Sequence, residues 1–224
     1  MTQHTSHQYE NELRALKERL LAMGGRCESL IQQAVSALER RDAGLAHIVE
    51  ATDREINADE LAVDDLAVRI LALRQPVGRD LRFLMTALKV VKDLERIGDE
   101  AVNIAERAEE LAGESAGPEI TASLPEMAHA SSDMLHRALD SFVHEDAETA
   151  NAVLLSDDEV DEFYGTILRA SMEHMSRHPE QIKAAMSVAS CAKYLERIAD
   201  HSTNIAEMVV YMVRGVDVRH QGKH

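Results

Sequence analysis

The sequence predicts an all-α protein, built as a tandem duplication of an antiparallel three-helix bundle with six long helices in total. Three observations carry this reading: apolar residues recur at helical spacing, chain breakers are few and isolated, and one motif is written twice. Leu13, Leu16, Leu20, Met23, Ile31, Val35 and Leu38 follow three- and four-residue steps or their sums, and strand-like alternation is absent. Among 224 residues there are 10 Gly and 4 Pro, aromatics are only 3% and Trp is absent, so Ala, Leu and ten Met fill the interior, which favours helix over strand.

The duplicated motif is Leu94-Glu95-Arg96-Ile97-Gly98-Asp99 running to Asn103-Ile104-Ala105-Glu106, and Leu195-Glu196-Arg197-Ile198-Ala199-Asp200 running to Asn204-Ile205-Ala206-Glu207. Nine of the thirteen positions are identical at a constant offset of 101. Upstream the match continues at an offset of 104, pairing Met23 with Met127, Ala34 with Ala138, Asp42-Ala43 with Asp146-Ala147, and Asp53 with Asp157. The change of offset requires a small indel, placed at the turns marked by Pro76-Val77-Gly78 and by Pro179, where a length change is best tolerated.

The elements follow in order. Periodicity predicts the first helix at about 8–40, with Gly24-Gly25 as a point of close helix packing, and the second at about 44–73, ending before the Pro76 turn. The third, at about 77–112, carries the first motif and stops at a linker made of Gly113, Ser115, Gly117 and Pro118. The second copy repeats the plan at about 120–143, 147–176 and 180–213, the last carrying the second motif beyond Pro179. Short turns force sequential helices antiparallel. The units span 1–115 and 119–224, the second with a short basic tail.

Composition bounds the function. Apolar residues at 45% and charged residues at 29% describe a folded soluble chain, and a formal net charge of −16 repels phosphate backbones and anionic headgroups, which argues against nucleic acid as a partner. The tail residues Arg214, Arg219, His220, Lys223 and His224 read as a solvated end. Cys27 and Cys191 lack a C-x-x-C context and read as small core residues. No targeting segment and no uninterrupted apolar stretch of roughly 18 residues is present, so the expected location is the cytoplasm.

The motif also carries chemistry. At about 100° per residue, Glu95, Asp99, Asn103 and Glu106 fall within one narrow stripe, and Glu196, Asp200, Asn204 and Glu207 repeat it. Carboxylates stacked at i and i+4 repel by a few tenths of a kcal/mol per pair, so something should compensate. Reflection through the hairpin turns brings Asp53 and Asn57 to the height of Asp99 and Glu95, and Asp157 and Asp161 to that of Asp200 and Glu196. Each copy thus presents a two-helix cluster of oxygen ligands suited to divalent or trivalent cations: magnesium, manganese or iron, with zinc as a further candidate. The competing reading is a solvated face laced with ion pairs, since Lys89, Lys92 and Arg96 lie on or near the same arc. Recurrence of the pattern in both copies favours the cation reading.

Other patterns carry less. Glu126 to His129 has an E-x-x-H spacing, but di-iron bundles need it twice and it occurs once. Gly24-Gly25 lacks the Lys-Ser or Lys-Thr of a phosphate-binding loop, and no nucleophile-elbow context surrounds any Ser.

The two copies of L-E-R-I-[GA]-D-x-x-x-N-I-A-E, the preceding Arg74-Gln75-Pro76 and Asp80-Leu81-Arg82, and the terminal Arg214-Gly215-Val216-Asp217-Val218-Arg219-His220 resemble the PhoU family over essentially the whole chain. The resemblance implies a tandem pair of three-helix bundles binding multinuclear metal clusters, with Glu95, Asp99, Glu196 and Asp200 on the motif and Asp53, Asp157 and Asp161 as their companions. Asn57, Asn103 and Asn204 stand where an acid would add charge, which lowers expected cation affinity, most of all in the first copy. It further implies a non-enzymatic adaptor that dampens the phosphate-starvation response. The implied partners are the ATPase subunit of the high-affinity phosphate transporter and a membrane sensor kinase, met through peripheral contact with the membrane complex, and the implied assembly is a homodimer. A carboxylate-bridged metalloenzyme on the same bundle is the alternative, disfavoured by the missing second E-x-x-H and the lack of an evident substrate pocket.

Overall fold

A computed structural model of the chain describes residues 2–40, 42–111, 117–216 and 218. Among them lie six long helices and no strand. Helices α1 (Thr2–Arg40), α2 (Ala43–Arg74) and α3 (Gly78–Leu111) form the first copy. A single turn, α4 (Pro118–Thr121), leads into α5 (Leu124–His144), α6 (Ala147–Arg177), a 3₁₀ turn (Pro179–Gln181) and α7 (Ile182–Arg214). The expected residues 113 and 115 of the linker and 219, 220, 223 and 224 of the tail lie outside the described residues.

Two boundaries differ from expectation for physical reasons. The first helix begins at Thr2, because its polar opening residues contain no breaker. The fourth expected helix divides at Ala122-Ser123, because Pro125 supplies no N–H to the turn before it and instead starts a new helix in its first turn.

The repeated Asp-Ala pairs turn out to be matched helix caps. Asp42 accepts from the Gly44 N–H at 2.9 Å, and Asp146 from those of Glu148 at 2.9 Å and Thr149 at 3.2 Å. Each satisfies amides that the helix start would leave orphaned. At the other ends, Gln75 and Gly215 take left-handed backbone with φ of 49° and 70°, closing α2 and α7.

Within each copy the three long helices pack on one another, and the copies join through α3 against α7 and α1 against α5. The helices α1, α3, α7 and α5 therefore form a ring, a four-helix centre with α2 and α6 riding outside it. Their buried faces form a single continuous core that includes Leu20, Leu30, Leu94, Ile97, Leu135, Leu195 and Ile198, each fully buried. Two of the scarce aromatics bridge the copies, the rings of Phe83 and Phe142 stacking at 5.6 Å and 20°.

At Gly24, α1 packs tightly against Leu139 of α5. A Cβ there would stand 2.3 Å from Leu139 Cδ1, whereas one at Gly25 would meet nothing within 4 Å. The pair has opposite roles: Gly24 permits contact between copies, and Gly25 merely lowers helix propensity. Gly24→Val should destabilise by about 1–3 kcal/mol through overpacking, and Gly25→Ala should stabilise by about 0.5–1 kcal/mol. Thermal melting checks both, at about 2–4 °C per kcal/mol for a chain of this size.

Candidate functional site

The motif helices owe their orientation to their apolar residues. Leu94, Ile97, Ala101 and Ile104 of α3, and Leu195, Ile198, Ile205 and Ala206 of α7, are all fully buried in the core. Helical geometry then turns Glu95 and Asp99 toward α2, and Glu196 and Asp200 toward α6. A further link ties each motif to the first helix of its copy. Cys27 Sγ donates to the Leu94 carbonyl at 3.3 Å, and Ser131 Oγ donates to the Leu195 carbonyl at 3.1 Å. Cys27 and Ser131 are related by the repeat offset of 104, so both copies use one small donor at one place. Burial raises both cysteine thiols, Cys191 to about 12, so neither offers a thiolate.

In the first copy Asp53 meets the motif as expected. Its Oδ1 lies so close to the backbone of α3 that a Cβ at Gly98 would stand 3.0 Å away, which explains the glycine inside the motif. Asn57 donates to Asp53 Oδ2 at 2.9 Å and so serves as a companion of the carboxylate. Burial, then the charges of Asp99 and Glu95, push the Asp53 carboxyl above its ordinary range, against the lowering effect of Asn57. Asp53 Oδ1 and Glu95 Oε2 are buried and accept no hydrogen bond. Arg96 reaches over this face, with Nη1 3.2 Å from Asp99 and Nε 3.5 Å from Glu95.

The second copy gathers more acids. Asp157 is buried, and Asp200, although in contact with solvent, is pushed up by burial of its carboxyl and by the charges of Glu196, Asp157 and Asp161, with Lys193 opposing. The nearby cation is Lys193, bonded to Glu196 at 2.6 Å and lying 5.4 Å from the Tyr164 ring centroid. Asn103 and Asn204 direct their amides elsewhere, to Glu100 at 3.3 Å and to Asp93 at 3.2 Å.

The expected acids of each copy therefore share one electrostatic neighbourhood. Among the described residues, however, no three His, Cys, Asp or Glu side chains converge closely enough to hold a metal ion as they stand. The donor set fits a hard cation in one respect: the buried Asp53 Oδ1 accepts no hydrogen bond and so wants the positive partner a cation would supply, whereas Glu95 Oε2 already lies 3.5 Å from Arg96 Nε.

Sequence reasoning missed the polar seam between α3 and α7. The buried Glu100 receives Arg197 at 2.9 Å, and Asp93 receives His201 at 2.8 Å together with Asn204. Its signal lay in the motif positions that differ between the copies, Glu100 against His201 among them, because contact between copies sets unlike residues face to face.

Because the folded Asp53 and Asp200 keep their protons to higher pH than in the unfolded chain, the stability they contribute is complete below the unfolded value. It is lost as pH rises through the folded values. Above those values in chelator, Asp53→Asn and Asp200→Asn should each raise the melting temperature by about 1–3 °C by relieving repulsion. An unchanged or lowered midpoint for both would show that the acids are not strained against one another.

Comparison with known proteins places this geometry in a family. The PhoU domain profile matches the chain twice, over residues 20–108 and 124–209. The phosphate-specific transport system accessory protein PhoU homolog of Pseudomonas putida is 43% identical over 222 residues, covering 99% of this chain and 87% of that protein. The crystal structure of PhoU from Pseudomonas aeruginosa superimposes with a TM-score of 0.89 at 41% identity, covering 93% of this chain and all of that one. That of the phosphate transport system regulatory protein PhoU from Streptococcus pneumoniae gives 0.87 at 28% identity, covering 94% of this chain and 99% of the other. With the domain matched twice and the relatives aligned almost end to end, this chain belongs to the PhoU family.

Proposed function

We propose that this protein is an accessory regulator of phosphate-specific transport, acting by protein contact rather than catalysis. The observation that carries this is its likeness, over 99% of this chain, to proteins named as phosphate-specific transport system accessory proteins. We propose further that it dampens the phosphate-starvation response in the cytoplasm, as an adaptor between the transporter's ATPase subunit and a sensor kinase. Among the described residues no helix is long and apolar enough to cross a membrane, which accords with peripheral contact alone.

In this reading the acidic faces bind divalent or trivalent cations through Glu95, Asp99 and Asp53 in the first copy, and through Glu196, Asp200, Asp157 and Asp161 in the second. A bound cation supplies charge neutralisation. The chain's own residues orient the carboxylates: Gly98 admits Asp53, and Asn57 holds its second oxygen. Arg96 and Lys193 are the resident counter-ions that a cation would displace. Neutralised faces hold α2 on α3 and α6 on α7, and so preserve the surface offered to partners.

Self-association is supported by apolar side chains left in solvent. Val77 is 80% exposed, and the repeat-related pairs Leu81 with Met85 and Ile182 with Met186 are exposed at the two hairpin ends. Sedimentation should show a dimer at micromolar concentration, and a strict monomer would count against it.

The role is tested by deleting the gene and measuring a phosphate-starvation reporter in rich phosphate, where derepression is expected. The site is tested by the double variant Asp99→Ala with Asp200→Ala. It should keep its helix content, lose bound metal and the stabilisation that metal confers, and derepress the reporter. Unchanged metal content together with unchanged repression would leave the acidic motif without this role.

A further inference from the structure

A cleft sits at each end of the ring formed by α1, α3, α7 and α5. The one at the Pro76 end has a volume of about 190 Å³ and draws on all four helices, so both copies build it. Its apolar lining is Leu13 of α1, Phe83 of α3 and Met212 of α7, each buried or half-buried. Its charged lining is Arg14, Lys17, Arg79, Asp80 and Glu145. Three cations against two acids leave it positive, in a chain of net charge −16.

The two acids are already engaged: Asp80 accepts from the Tyr9 hydroxyl at 2.8 Å, and Glu145 pairs with Arg79. Two helices also end here, and their last carbonyls would repel an anion. Cations of the first copy answer them, Lys17 donating to the Val143 carbonyl and Arg82 Nε to that of Met212 at 3.1 Å. Positive charge still remains in excess. Burial, then the charge of Arg79, hold the Lys17 ammonium below its usual range, so the two cations repel each other despite Glu145. Among the described residues Arg79 gives one donor to Glu145 and Arg14 one to Asn11, and both guanidinium groups keep further N–H donors facing solvent.

The opposite cleft shows that the fold does not require these charges. It has a volume of about 240 Å³, and its Leu111 and Thr121 are the repeat counterparts of Met212 and Lys17, at offsets of 101 and 104. Its one charged lining residue among those described is Glu39, and the counterpart of Arg79 is Glu180. Duplication thus made two clefts, and only the Pro76 end carries a cationic rim.

We propose that the Pro76-end cleft is a docking site for an acidic segment of a partner protein, one carboxylate side chain meeting Arg14 and Arg79 while a neighbouring apolar side chain covers Phe83 and Met212. This rests on the reading that the protein acts by protein contact, and it names the chemistry of the contact. Size sets the occupant: sites for whole small molecules hold roughly 300–1,000 Å³, whereas this cleft has room for a side chain or two. Bare inorganic phosphate would leave the apolar lining in water, and a segment with both groups covers it. Arginine suits the carboxylate because its planar fork offers paired donors.

The test uses the full chain and the capped peptide Leu-Glu-Leu-Glu-Leu, followed by NMR of the Met212 methyl group. Saturable shifts are expected there, with binding about tenfold weaker for the analogue in which Gln replaces Glu. Arg14→Gln and Arg79→Gln, both on exposed side chains, should each weaken binding about three- to tenfold without lowering the melting temperature. Glu145→Gln removes the internal competitor and should tighten it, an effect that a purely structural ion pair would not produce. Inorganic phosphate at equal ionic strength should not displace the peptide. Equal binding of the two peptides, binding indifferent to both arginines, or displacement by phosphate would overturn the assignment. So would a dimer that Arg79→Gln dissociates on sedimentation, since a second copy would then occupy the cleft. The peptide assay is independent of the reporter: absent derepression on gene deletion counts against the regulatory role, and absent binding counts against the cleft.

Discussion

The whole arrangement depends on burial of one apolar face on each motif helix. Leu94, Ile97, Ala101 and Ile104, with their counterparts on α7, enter the core where α3 and α7 pack on each other. At roughly 1.5–3 kcal/mol for each large side chain, that burial outweighs the few tenths by which neighbouring carboxylates repel one another. It therefore fixes the helix rotation, and the acids must face α2 and α6 whatever the electrostatic cost. The donors Cys27 and Ser131 hold the same register from the opposite side, each on the carbonyl of the Leu that opens its motif.

Duplication set two equal acidic faces, and the contact between the copies made them unequal. The motif Arg of the first copy, Arg96, lies over its own carboxylates, whereas Arg197 of the second is drawn across the seam to the buried Glu100. An ionised Glu at 2% exposure without a cation beside it would be costly, so Glu100 holds Arg197 away from the second acidic face. That face instead retains Lys193 and an extra acid, Asp161 in place of Asn57. The second copy is accordingly richer in negative charge, and the first is partly neutralised by its own arginine.

The joint between the copies uses different physics on its two sides. Along α1 and α5 it rests on close approach, with Gly24 under Leu139 and Glu28 paired with His136 at 3.1 Å. Along α3 and α7 it rests on a seam of unlike polar groups over a shared apolar core. Neither copy is therefore an independent body, since each would expose the faces of two helices if separated.

By itself the sequence determined the helical class, the duplication, the turns at Pro76 and Pro179 and the identity of the acids, because all of these follow from local spacing. Periodicity and breaker positions act within one helix, and an offset of 101 is visible without coordinates. Pairing of Asp53 with Asp99, and of Asp157 with Asp200, was legible too, since a short hairpin turn makes reflection a reliable guide to neighbours. What only the tertiary structure decided involves contacts between copies. Reflection through a turn says nothing about helices that no hairpin joins. The pairing of Arg197 with Glu100, the turning of Asn204 toward Asp93 and the contact of His174 with Glu119 required the packing of α3 on α7 and of α4 on α6. A side chain's partner is set locally only when the chain itself brings the two together; across the joint, it is set by which apolar faces the core buries.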